Sequence, residues 1–301
     1  MGVEKATNVG PAGIDLAYER FGDPDAPPVL LVMGIAMQML AWPDGFCAEL
    51  VGRGVQVIRF DNRDVGLSSH LRDAPAADLP AALGGDLSSV SYTLSDMAAD
   101  AVGLLDALGF GSAHVVGASM GGMIAQTIAI EHPDRVRSLT SMMSTTGDVS
   151  VGQPRPEVLQ AFPRTLASTR KEAIEQMIRI VRVVGSPGYE TDEAALRERT
   201  GRAYDRAYDP AGVARQAVAA IASGDRTARL RSLDVPALVV HGADDMMCDV
   251  SGGRATATAI AGAELAVFDG MSHDLPRALW PEIAARITDL VRRVEAGSVR
   301  R

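Results

Sequence analysis

Two hydrophobic rhythms alternate along the chain. Pro28-Val29-Leu30-Leu31-Val32-Met33 is a continuous apolar run, as expected of a strand buried on both faces, and Val55-Gln56-Val57-Ile58-Arg59-Phe60 reads as its neighbour. Leu40 to Val51, between them, reads as a helix. Thr93 opens an amphipathic helix with Asp96 three residues on, and Leu94, Met97, Ala101, Leu104, Leu105 and Leu108 fall on one face; Gly109 ends it. Ala113 to Val116 then predicts a strand, Met120 to His132 a helix and Val136 to Met142 another strand. Strand, helix, strand with short connections is the pattern of a parallel, doubly wound sheet.

The rhythm stops near Thr146. From Gly147 to about Asp225 only helical stretches are expected, over 157–167, 171–184, 192–208 and 210–222, divided by Ser186-Pro187-Gly188 and Asp209-Pro210. It resumes with a strand over 235–240, a helix over 252–261, a strand over 264–268 and a closing helix over 276–295. The expected organisation is one α/β core, residues 1–146 and 226–301, interrupted by a helical cap over 147–225. No internal repeat or low-complexity tract interrupts it.

Composition narrows the function. At 301 residues, 47% hydrophobic and 22% charged, the chain has ordinary globular values and length for a sizeable core. A net charge of −9 argues against binding nucleic acid or an anionic lipid surface. Cys47 and Cys248 form neither a metal pattern nor a disulfide framework, so no metal is expected. The first residues carry no apolar signal segment and no apolar run is long enough to span a bilayer, so a cytoplasmic protein is expected.

The chemistry concentrates on Gly117-Ala118-Ser119-Met120-Gly121, a Gly-x-Ser-x-Gly turn between a buried strand and a helix. A serine nucleophile needs a sharp turn that pushes its hydroxyl out of the sheet edge, and glycines beside it leave room for the neighbouring backbone. The helix that follows aims its N-terminal amides at the reaction centre. Of the five histidines, His114 lies inside a strand, His132 at a helix end, His70 near a strand end and His241 ahead of a short connection. His273, in Gly270-Met271-Ser272-His273-Asp274, follows the last strand at the same sheet edge as Ser119 and is the candidate base. The acid that orients it is sought in His241-Gly242-Ala243-Asp244-Asp245, with Asp244 and Asp245 both open and Asp148 a third candidate. For the oxyanion, the N–H of Met120 is one expected donor. Ile35, in the loop where Gly34 permits a turn after the first buried strand, supplies the other.

These residues carry a resemblance. The chain is similar to the α/β-hydrolase superfamily, with an inserted helical cap, over nearly the whole core. Asp61-Asn62-Arg63-Asp64-Val65-Gly66-Leu67-Ser68 matches that family's Asp-x-Arg-Gly-x-Gly-x-Ser segment except for Asp64 in a glycine's place, and is taken as structural. Leu31-Val32-Met33-Gly34, Trp42-Pro43-Asp44 and Gly270-Met271-Ser272-His273 with Leu275-Pro276 resemble the aclacinomycin methylesterase type, whose members hydrolyse a methyl ester on a polyketide. The family pattern His-Gly-x-x-Asp aligns on Asp245, so the resemblance implies the order Ser119, Asp245, His273 and no cofactor.

The expected function is hydrolysis of a small-molecule carboxylic ester through an acyl-enzyme. The same parts would serve lactone hydrolysis, carbon–carbon hydrolysis or perhydrolysis, and the fold also occurs in non-catalytic binding proteins. Methionines crowd the predicted edge, with Met33, Met37 and Met39 on the oxyanion loop and Met120, Met142, Met143, Met246, Met247 and Met271 on the loops around it. Unbranched, polarizable side chains repack around varied shapes, so Gly34, Met37, Met143, Met246 and Met247 are expected to line a deformable pocket for uncharged, apolar substrates. Arg179 and Arg182 are the cap cations expected within reach of it.

Overall fold

The computed structural model describes residues 2–161 and 167–298. The core is an eight-stranded sheet. Its strands are β1 (Glu4–Val9), β2 (Ile14–Phe21), β3 (Pro28–Val32), β4 (Gln56–Phe60), β5 (Ala113–Ala118), β6 (Val136–Met142), β7 (Ala237–Gly242) and β8 (Glu264–Phe268), in the order β1-β2-β4-β3-β5-β6-β7-β8. β1 pairs with β2, and β2 with β4, antiparallel; from β4 to β8 every pairing is parallel. This is the α/β-hydrolase fold.

The period-two alternation of the strands divides the apolar core into two layers. Leu30, Val32, Ile58, Phe60 and Val115 face α3 (Leu94–Ala107) and α4 (Met120–Glu131). Val29, Leu31, Val57 and Val116 face α1 (Asp44–Val51) and α11 (Trp280–Ser298). The central strands are buried along their whole length because helices cover both faces. The Thr93 and Asp96 side chains form the capping box that starts α3.

The hairpin β1–β2 has no counterpart in the sequence-based elements. Its outer strand is exposed at Glu4, Lys5, Thr7 and Asn8 and buried only at Ala6 and Val9, so its pattern follows neither helical nor strand periodicity. The single helix expected over 40–51 is instead a short 3-10 turn, Met39–Ala41, followed by α1, because Pro43 cannot continue a helix through its own ring.

Between β6 and β7 run α5 (Pro156–Ala161), α6 (Arg170–Val184), α7 (Glu193–Arg206), α8 (Pro210–Ala222) and the short α9 (Thr227–Leu230), while α2 (Leu79–Leu83) precedes α3 and α10 (Ser251–Ala259) joins β7 to β8. The expected helix over 157–167 is seen only as α5; the rest of it, apart from Ala167, lies outside the described residues. Thr169, Asp192 and Asp209 each cap the next helix by accepting from a backbone N–H in its first turn. The breaker Asp209-Pro210 expected between helices is therefore also a helix start.

Candidate active site

β5 ends directly at Ser119, which has φ 56° and ψ −124°, and α4 begins at the next residue. A non-glycine residue at positive φ costs about 1–3 kcal/mol, and here the surroundings leave no alternative. A Cβ on Gly117 would drive into the carbonyl of Gly121, and one on Gly121 into the carbonyl of Val32. The turn is further tied by Ser119 N–H to Met142 O at 2.9 Å and by the Ser144 hydroxyl to Ser119 O at 2.8 Å.

Ser119 Oγ lies 3.0 Å from Nε2 of His273. Nδ1 of the same ring is 2.8 Å from Oδ2 and 3.1 Å from Oδ1 of Asp245, whose side chain is fully buried. Asp245 Oδ1 also accepts from Met247 N–H at 2.9 Å and Cys248 N–H at 2.8 Å. A carboxylate that can only accept sets the tautomer: Nδ1 carries the proton and Nε2 faces the serine hydroxyl as an acceptor. His273 is held from behind by its own N–H, which donates to Val184 O at the end of α6 at 3.0 Å.

The competing candidates lie elsewhere. Asp244 is exposed and accepts from Gly270 N–H at 2.9 Å. Asp148 closes its own turn by accepting from Ser150 N–H and Oγ–H. His114, buried in the sheet, receives the Ser138 hydroxyl at Nδ1 and donates from Nε2 to Glu295. His70 meets Asp209 and Gly66 O. His241 stands behind Asp245, with Nε2 donating to Cys248 O at 2.7 Å; burial pushes its pKa down, so it stays neutral.

Gly34 comes against the serine: a Cβ there would lie 3.0 Å from Ser119 Cβ. The loop after β3 is held by residues that sequence reasoning left out or took as merely structural. Ala36 N–H donates to Gln216 Oε1 of α8 at 2.9 Å, and Gln216 Nε2 donates on to Arg63 O. Asn62 Nδ2 donates to Met33 O, and Met39 N–H to Asp61 Oδ1 at 2.7 Å. Asp61 also takes Arg206 of α7 at 2.7 Å; burial raises its pKa, and the Arg206 charge works against that rise. Only the oddity of polar residues in a predicted helical stretch could have pointed to Gln216.

The methionines separate. Met33, Met142, Met143 and Met271 pack in the core layer under α1 and α11, and Met120 in the layer under α4. Met37, Met246 and Met247 are half-buried. Met246 lines an open cavity of about 380 Å³ with Arg155, Arg182, Ser186 and Asp244. No helix is long and apolar enough to cross a membrane among the described residues.

A serine on a strained strand-to-helix turn, within reach of a histidine and a buried carboxylate at the carboxyl edge of a mostly parallel sheet, defines a hydrolase-type site. The chain belongs to the alpha/beta hydrolase fold family, whose model matches residues 27–275. It is 30% identical to rhodomycin D methylesterase DnrP of Streptomyces peucetius and 29% identical to rhodomycin D methylesterase DauP of Streptomyces sp. (strain C5), in each case over 91% of this chain and 94% of the relative. Among solved structures it is similar to the enol-lactonase from Burkholderia xenovorans LB400, with TM-score 0.70, 24% identity and coverage of 96% and 100% of the two chains.

Proposed function

We propose that the protein is a serine esterase in which Ser119 is the nucleophile, His273 the general base and Asp245 the residue that orients it. The observation that carries this reading is the unbroken run of contacts from Asp245 through His273 to Ser119 Oγ. Ser119 Oγ attacks the acyl carbon of the ester while its proton passes to His273 Nε2. The resulting imidazolium is stabilised by Asp245, and the N–H groups of Met120 and Ile35 donate to the tetrahedral oxyanion. Met120 opens α4, so its N–H has no intrahelical acceptor and is free for this use. Collapse breaks the ester C–O bond, and the alcohol leaves with the proton from His273. Water, deprotonated by the same ring, then releases the acid and restores Ser119.

In this reading the helical segment 147–225 is a cap over the site. The half-buried Met37, Met246 and Met247 are the pocket residues that can adapt to an apolar acyl or alcohol part. The similarity to rhodomycin D methylesterases supports a small-molecule ester as substrate. The experiment is a fluorophosphonate probe on the purified protein, followed by turnover of simple esters. Labelling of the wild type that vanishes in Ser119→Ala, together with ester turnover, supports the reading; a folded wild type that never labels and cleaves no ester overturns it.

A further inference from the structure

α7 is anchored near both of its ends to loops that carry the site. The chain just before it is stitched to the His273 loop: Gly188 N–H donates to Gly270 O at 2.9 Å, and Ser272 N–H to Ser186 Oγ at 2.8 Å. The far end of α7 is stitched to the loop after β3 and to Asp61. Gln38 Nε2 donates to Ala203 O at 2.7 Å and Ala207 O at 3.0 Å, and Arg206 Nη2 to Asp61 Oδ2 at 2.7 Å. Ser119 lies between these anchors, because its hydroxyl meets His273 and its Cβ meets Gly34. A helix rises about 1.5 Å per residue, so α7 bridges the loops that carry His273 and Gly34.

Helical periodicity decides which side chains point down. Leu196, Arg199, Ala203 and Arg206 recur at spacings of three and four on one stripe, and both end anchors belong to it or adjoin it. The other side of the helix is turned to α6, where Arg197 pairs with Glu175. Arg199 is thus the cation in the middle of the inward stripe.

Its circumstances differ from those of its neighbours. Arg206 has Asp61, and Arg215 of α8 has Asp64. Arg199 is half-buried, and its guanidinium makes no hydrogen bond or ion pair among the described residues. The acids whose field it feels are Asp274, beside His273, and Asp192; burial outweighs both and pulls its pKa down. Both acids have partners of their own, since Asp274 receives the Ser186 hydroxyl and Asp192 caps α7. Further along the stripe, Nε and Nη1 of Arg206 are also buried without a partner among the described residues. Along this stripe the donors of Arg199 and Arg206 are thus incompletely matched, and the buried Oε1 of Gln38 beside Ala203 is itself left without a partner among the described residues. A desolvated cation left unpaired is costly, and an arginine does not escape by losing its proton.

We propose that Arg199 is a specificity-determining residue that receives an acidic oxygen of the substrate, a carboxylate or a phenolate, placed on an otherwise apolar ester while Ser119 attacks the acyl carbon. This rests on Ser119 being the nucleophile. It departs from the sequence-based expectation of an uncharged substrate while keeping the apolar part.

The test compares matched esters on wild type, Arg199→Met and Arg199→Lys. Mono-p-nitrophenyl esters of succinic, glutaric and adipic acid are set against p-nitrophenyl esters of neutral acids of equal length. For a charge on the alcohol side, 4-acetoxybutyrate is set against butyl acetate, and for a phenolic oxygen, methyl salicylate against methyl benzoate. A charge-assisted contact predicts that wild type prefers at least one acidic member by roughly tenfold to a hundredfold in kcat/KM. Arg199→Met should abolish that preference with little change on neutral esters, and Arg199→Lys should keep part of it. The Tm of Arg199→Met should equal or exceed wild type, because an unpaired charge is removed; a structural role would lower it. Turnover of neutral esters with no acidic preference in any pair, or a preference that survives in Arg199→Met, overturns the Arg199 proposal alone. No turnover and no fluorophosphonate labelling overturns the esterase reading on which it rests.

Discussion

Asp64 and Arg215 join the core to α8 through two parallel hydrogen bonds, each 2.8 Å, between a fully buried carboxylate and a guanidinium with only 3% of its side chain exposed. Asp64 has φ 67°, a backbone conformation that glycine adopts without strain, and also accepts from Tyr92 O–H and Leu71 N–H. Burial alone would raise its pKa, but Arg215 and these donors hold it below the ordinary carboxylate range. The charge on Asp64 thus has a partner supplied by the helical segment.

Breaking this pair is expected to cost more than its backbone strain. Asp64→Gly relieves the positive φ but leaves Arg215 only the more distant Asp209, at 3.8 Å, and breaking a buried pair costs about 3–5 kcal/mol. Net destabilisation of up to about 4 kcal/mol is expected in urea unfolding. Asp64→Gly combined with Arg215→Met should recover most of it. A double variant no more stable than the single one would show that the pair contributes little.

The proposed triad makes a second, sharper prediction. Ser119→Ala or His273→Ala should lower kcat by about 10⁴-fold, leaving oxyanion stabilisation and binding. Asp245→Asn should approach that loss, because its amide group offers a donor where His273 Nδ1–H needs an acceptor. Asp244→Asn should change kcat less than about threefold, since among the described residues the exposed Asp244 side chain accepts only from the Gly270 amide. Reversal of the two aspartates in steady-state assays would reassign the acid.

Substrate length tests the adaptable methionines. Each extra methylene buried in the pocket should improve kcat/KM by up to about fourfold until the pocket is full. The measurement is a p-nitrophenyl series from acetyl to octanoyl, with Met37→Ala and Met246→Ala alongside. A series that falls steadily from acetyl would mean a small pocket and methionines that serve packing alone.

His114 predicts an acid-side loss of stability. Burial pushes its pKa from 6.5 down to about 4, against the pull of Glu295. The unfolded chain therefore binds a proton at a pH where the folded protein does not. Stability is full above about pH 6.5 and is lost as pH falls from there towards 4. Between pH 7 and pH 5 this one group contributes a loss of about 2 kcal/mol. Urea unfolding of wild type and His114→Gln at both pH values checks it; equal slopes against pH would sink the assignment to His114.

The sequence by itself determined the parts of this protein whose physics is local. β3 is a short apolar run, and β5, apolar but for His114, is buried along its length in the same way. The glycines around Ser119 mark a turn where any Cβ would strike a carbonyl, and Thr93 with Asp96 marks a helix start. These signals lie within a few residues of one another, so they can be read along the chain, as can the histidine and the two aspartates that end up at the same sheet edge. The hairpin β1–β2 was not legible, because an edge strand half in water has no strict alternation. Tertiary structure alone decided the rest. It put Asp245 rather than Asp244 against His273, since two adjacent residues point to opposite sides of one loop. It sent Met143 and Met271 into the core. It brought Gln216, Arg206 and Arg215 from the helical segment onto the loops that carry the site, and it left Arg199 of α7 in the field of Asp274 with no partner among the described residues. Those relationships join residues from 28 to 180 positions apart, and their energies depend on burial and on which charges meet, quantities that no local pattern encodes.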